Sequence, residues 1–131
     1  MNMLPIMRVA RPTDNLSCVA KMYEDGLGLL RLGEFVDHDG FDGVILGHAQ
    51  SPYHLEFTAQ RGHLVGRAPT QDHLLVFYIP DESAWRVRCE KMESAGFLSV
   101  SSYNPYWDAH GRTFEDIDGY RVVIAKLAWT R

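Results

Sequence analysis

Two stretches of this chain can be laid on each other with a shift near 67 residues, and that repeat constrains the fold more than any other feature. Gly28 falls on Gly96, Asn15 falls near Asp81, and Leu55-Glu56-Phe57 falls on Val122-Val123-Ile124. A repeat of about half the chain implies two copies of one supersecondary unit, each leaving a sheet face that it cannot cover alone. At 131 residues the chain has room for two small modules sharing a core, and not for separate cofactor and substrate domains.

The first copy opens with a short strand at Met7 to Ala10. An apolar stripe follows at Leu16, Val19, Ala20, Tyr23 and Leu27, the spacing of one helix face, with Asp14 placed to cap it and Gly26 and Gly28 to stop it. Strand-like segments run from Leu29 to Val36, Gly43 to His48 and Tyr53 to Thr58, separated by turn signals at Asp39-Gly40 and Ser51-Pro52. The second copy has Leu74 to Ile79 as a strand and Asp81 as a cap. Trp85, Cys89 and Met92 form its helical stripe, which Ala95-Gly96 closes. Leu98 to Val100, Thr113 to Asp116 and Tyr120 to Lys126 are its three further strands, with Asp116-Ile117-Asp118-Gly119 turning the last pair. Each copy reads βαβββ, over residues 6–59 and 72–128. The Gly- and Pro-bearing segment 60–71 is the linker.

Composition narrows the function. Thirteen Lys and Arg against seventeen Asp and Glu give a net charge of −4, with no basic surplus for a nucleic-acid backbone. No apolar run approaches the roughly 20 residues that span a bilayer, and the N-terminal stretch carries Arg8 and Arg11 rather than a long apolar segment. The expectation is a soluble cytoplasmic protein with no nucleic-acid or membrane partner. Cys18 and Cys89 read as reduced thiols on inward-packing helix faces.

The repeat with the endings Tyr53-His54-Leu55-Glu56-Phe57 and Asn104-Pro105-Tyr106-Trp107, followed by Gly111-Arg112-Thr113-Phe114-Glu115-Asp116-Ile117-Asp118-Gly119-Tyr120, resembles the vicinal oxygen chelate superfamily. That superfamily holds glyoxalase I, extradiol dioxygenases, fosfomycin-inactivating transferases and bleomycin-binding resistance proteins. The resemblance implies an α+β fold whose two curved mixed sheets form a concave cavity, within one chain or across a homodimer. It also implies four metal-ligand slots, on the first and last strand of each module. Here they fall on Arg8, Glu56, Leu74 and Val123, of which only Glu56 has a lone pair to give. The expectation is therefore no family-type metal. His73 with Glu56 is the fallback pair if the strand register shifts by one residue, for a divalent ion such as zinc, nickel, manganese or iron. In place of the metal, Arg8 is expected to pair with Glu56 as a bidentate guanidinium–carboxylate contact.

Other candidates are weaker. Tyr106 and Trp107, expected on a loop at a sheet end, are candidate ligand-stacking residues together with Arg8 and Glu56. Tyr78 and Phe114 are expected in the core. His110 is a candidate proton-transfer group and Glu56 a second catalytic candidate. Asp116-x-Asp118-Gly119 invites a calcium reading, but the further positions of an EF-hand loop are missing, so it reads as a hairpin turn. No nucleophile motif or phosphate loop is present. The leading reading is a glyoxalase- or bleomycin-resistance-like binder of a small organic ligand. A metal-dependent lyase, transferase or dioxygenase is the alternative, and whether the chain is an enzyme stays open. A scaffold domain whose cavity is filled by its own side chains is a third possibility.

Overall fold

The computed structural model describes residues 4–129. In chain order the elements are β1 (Met7–Pro12), α1 (Leu16–Leu27), β2 (Leu30–His38), β3 (Phe41–Gly47), β4 (Tyr53–Gln60), β5 (Leu74–Tyr78), α2 (Glu82–Ser94), β6 (Leu98–Val100), α3 (Pro105–His110), β7 (Gly111–Glu115) and β8 (Arg121–Ala125). They build two four-stranded sheets with one topology used twice, β1-β4-β3-β2 and β5-β8-β7-β6. Within each sheet the first strand runs parallel to the last, and the other pairs are antiparallel. The ladders carry the repeat: Val9 stands opposite Leu55 as Leu75 stands opposite Val122, and Ala10 opposite Glu56 as Val76 opposite Val123.

Strand alternation decides which side chains meet the helices. On sheet one Val44, Leu46, Leu55 and Phe57 face α1, and on sheet two Phe114, Val122 and Ile124 face α2. With Val19 and Tyr23 of α1 and Cys89 and Met92 of α2 they form one shared core. Each module thus covers the apolar face that its partner would otherwise leave wet. The opposite sheet faces point away from this core.

The hairpin between β2 and β3 closes through Asp39-Gly40, both at positive φ (53° and 87°), as a two-residue turn matched to strand twist requires. On the outer face of sheet one the Phe35 ring lies across Gly43, where a Cβ would overlap it, so the glycine makes room for the aromatic.

Three expectations are corrected. Asp14 does not cap α1. Asn15 occupies the cap position without a side-chain cap bond, because its amide is drawn to Asp118, while the Asp14 carboxylate accepts the backbone N–H groups of Val65 and Gly66 in the linker. Asp81 does cap α2, accepting from the Ala84 N–H. Cys18 is exposed, since it falls just off the stripe that Val19 and Tyr23 bury; Cys89 is buried as expected. Tyr106 and Trp107 are not on a loop. Asn104 caps a short helix by accepting from the Tyr106 N–H, and Pro105 supplies its first turn.

Candidate functional site

The predicted site residues separate into two groups on two sheet faces. Arg8 and Glu56 lie on the outer face of sheet one, away from α1, with His54, Ile45 and Phe35 as neighbours in the ladders. The expected Arg8–Glu56 pair is not made among the described residues. The parallel register sets Arg8 opposite His54 and Glu56 opposite Ala10. This places the guanidinium and the carboxylate two residues apart along the ladder, a step of about 7 Å. Arg8 is exposed and Glu56 half-buried, and neither side chain has a hydrogen-bond or ionic partner among the described residues. The glycines Gly33, Gly43 and Gly47 share this face with the apolar Ile45 and Phe35 and the polar His54 and Thr58.

Sheet two treats the same face differently. The connection between β6 and β7 carries α3, which packs on β7 and β8. Val123 and Ala125, on the face turned away from the shared core, are fully buried there. Trp107 of α3 meets Tyr78 edge-on, with ring centres 6.5 Å apart, and Tyr106 in turn meets Trp107 at 5.0 Å. His110, at the end of α3, stacks on Tyr106 at 4.5 Å. Ser102 and Thr113 share a hydrogen bond beside this helix, and Asp108 accepts from the Ser102 N–H. Tyr78, expected in the core, is instead exposed at the end of β5, whereas Phe114 is core as expected. His73 lies exposed just ahead of β5, so the one-residue register shift that would bring it into the slot held by Leu74 does not occur.

The family-type metal centre can be tested against these donors. Arg8, Leu74 and Val123 offer no lone pair, and among the described residues no three His, Cys, Asp or Glu side chains converge. The residues of this chain do not fit that group.

A densely hydrogen-bonded polar cluster forms where sequence reasoning assigned only a turn. Arg11, at the end of β1, reaches across to the hairpin of module two. Its Nη2 donates to Asp116 Oδ2 at 2.6 Å and its Nη1 to Asp118 Oδ2 at 2.9 Å. The Tyr23 hydroxyl donates to Asp116 (2.6 Å), the Thr13 hydroxyl to Asp118 (2.6 Å), and the Asn15 amide to the other Asp118 oxygen (2.9 Å). The second Asp116 oxygen accepts the N–H groups of Asp118 and Tyr120. The guanidinium is held between the rings of Tyr120 and Phe57, at 4.0 and 4.8 Å. Both carboxylates are fully engaged, which accounts for the turn without calcium. Burial alone would raise the Asp118 pKa, but hydrogen bonds from Thr13, Asn15 and Arg11 outweigh it and hold the carboxyl below its usual range. Burial, together with the charge of Asp116, pushes the Tyr23 hydroxyl well above its usual value. Burial works against the charge of Arg11, but Tyr23, Asp116 and Asp118 outweigh it, so the guanidinium stays protonated. The signal that could have located this cluster was an arginine followed by Thr13 and Asn15, facing two carboxylates in one turn. Nothing local in the sequence links residues more than a hundred positions apart.

With the geometry in place, likeness to known proteins becomes informative. Residues 7–58 match the YycE-like N-terminal domain and residues 72–126 the YycE-like C-terminal domain. Protein YycE of Bacillus subtilis (strain 168) is 44% identical over 118 residues, covering 90% of this chain and 85% of that protein. A crystal structure of a YycE protein from Bacillus subtilis superposes with a TM-score of 0.86 at 42% identity, over 94% of this chain and 90% of that one. Two more distant structures share the fold. One is the trypanothione-dependent glyoxalase I of Leishmania major, with a TM-score of 0.71 at 17% identity over 93% of this chain and 86% of that one. The other is the fosfomycin resistance protein FosX of Mesorhizobium loti, with a TM-score of 0.68 at 11% identity over 98% and 94%. The chain belongs to the YycE-like proteins, and it has the glyoxalase-like fold that the resemblance to the vicinal oxygen chelate superfamily implied.

Proposed function

We propose that this protein binds a small organic molecule on the outer face of sheet one, without a family-type metal centre, as a cytoplasmic homodimer in which a second copy walls the face. The observation that supports this reading is a pair of charged side chains with no partner among the described residues, on a face they share with Ile45, Phe35, His54 and Thr58. Glu56 is half-buried and Arg8 exposed, and both are free to address a ligand. A planar guanidinium suits a carboxylate or phosphate group, and a carboxylate accepts from hydroxyl or amine donors. Tyr106 and Trp107 belong to the same reading only through the dimer, because in one chain they lie over the other sheet. His110 lies against the Tyr106 ring and serves as part of that aromatic wall.

Native mass spectrometry with metal analysis, on protein purified without chelator, tests the reading. The expected result is a dimer retaining a small organic mass and substoichiometric metal. Arg8→Ala and Glu56→Gln are each expected to weaken that ligand about tenfold, the loss of one charge-assisted contact. Stoichiometric zinc, nickel, manganese or iron would move the protein to the metal-dependent lyase, transferase or dioxygenase reading. Unchanged affinity in both variants would remove the ligand from this face.

A further inference from the structure

A cavity lies between the two modules, lined by neither Arg8 nor Glu56. It is a groove of about 580 Å³ running between β1 and β5, the strands at the end of each sheet. Val9, Leu55 and Phe57 wall it from module one, Leu75 from module two, and Pro69 of the linker forms a lip. Its volume falls in the range of small-molecule sites, about 300–1,000 Å³.

The charges around it select the occupant. At the inner end Arg11 is neutralised by Asp116 and Asp118, and the Tyr23 hydroxyl is spent on Asp116. Arg121 is held by Glu115 and the Ser101 carbonyl. None of these groups has charge left for a ligand. At the mouth stand Asp72 and His73, both exposed, with no side-chain partner among the described residues. The groove therefore offers an apolar interior with one uncompensated carboxylate at its opening.

We propose that the groove between β1 and β5 binds a small cationic amphiphile, its apolar body against Val9, Leu55 and Leu75 and its ammonium head beside Asp72. An anionic amphiphile would meet the same carboxylate unfavourably. This site uses neither Arg8 nor Glu56, so it stands or falls separately from the reading of sheet one.

The test is a titration of the full chain with hexyl-, octyl- and decylamine and with the alcohols and carboxylates of the same lengths, followed by calorimetry and by NMR shifts of side-chain methyls. Shifts are expected at Val9, Leu55 and Leu75, with affinity rising about threefold to fourfold per methylene, as burial of each CH₂ requires. The amine is expected to bind several-fold more tightly than the alcohol, and the carboxylate least. Asp72→Asn, an exposed substitution that leaves the fold intact, is expected to bring the amine down to the level of the alcohol while leaving the chain-length dependence in place. Val9→Phe, which fills the groove, should weaken all ligands at least tenfold. Shifts at Leu32 and Ile45 instead, no dependence on chain length, or an Asp72→Asn variant that still prefers the amine would each overturn the proposal. So would amide protection across Val9 and Leu75 that is lost only on dilution of a dimer, since a second copy would then own the groove.

Discussion

The two sheets share a topology and a core but not an outer face. On sheet one a two-residue turn joins the second and third strands, and the face is left with Glu56 half-buried and Leu32 exposed. On sheet two the equivalent connection carries α3, and Val123, which takes the place of Glu56 in the repeat, is sealed beneath it. One inserted helix separates a face that can meet a ligand from one that has become core. A duplicated unit therefore keeps its ladder register while its chemistry diverges at the loops.

Exchanging the two equivalent residues tests that contrast most strongly. Val123→Glu should cost about 3–5 kcal/mol, because it buries a carboxylate with no partner, whereas Glu56→Val should change stability by no more than about 1 kcal/mol. Urea unfolding of the two variants measures this, and equal effects would break the distinction between the faces. Next in size is Arg11→Met, which leaves Asp116 and Asp118 facing each other without their shared counter-charge. A loss of about 2–3 kcal/mol is expected, with the two modules no longer unfolding in a single transition. Trp107→Ala should cost about 2 kcal/mol, less than for a fully buried tryptophan, and should raise binding of a hydrophobic dye as the face of sheet two opens. The smallest effect is acid sensitivity. Asp118 has a lowered pKa in the folded state, so its contribution is complete above the ordinary aspartate value of 3.8 and is lost as pH falls through the lower folded value. In Asp118→Asn that part of the acid slope should disappear.

The fold was legible because repetition and strand alternation are long-range statistical signals that survive single-residue errors. Aligning Leu55 with Val122 and Arg8 with Leu74 located both parallel ladders. α3 was not legible: six residues opening on proline and dominated by aromatics carry no helical stripe. The choice between Asp14 and Asn15 as cap turned on partners in the linker and in module two, which adjacent residues do not reveal. The same holds for the site. That Arg8 and Glu56 share a face follows from the ladders, but their failure to pair depends on a two-residue offset that parallel strands allow and spacing alone does not express.

The contact between Arg11 and the distant hairpin also bears on how the chain is made. Its two counter-charges lie 105 and 107 positions further along the sequence. A ribosome releases module one, with Tyr53 available to close its sheet, well before Asp116 and Asp118 exist. Until then the guanidinium must stay hydrated at the end of a strand, so module one can collapse early but cannot reach its final packing. The last hairpin to emerge is the one that locks the first strand, and a nascent chain truncated before it should remain open to chaperones and proteases.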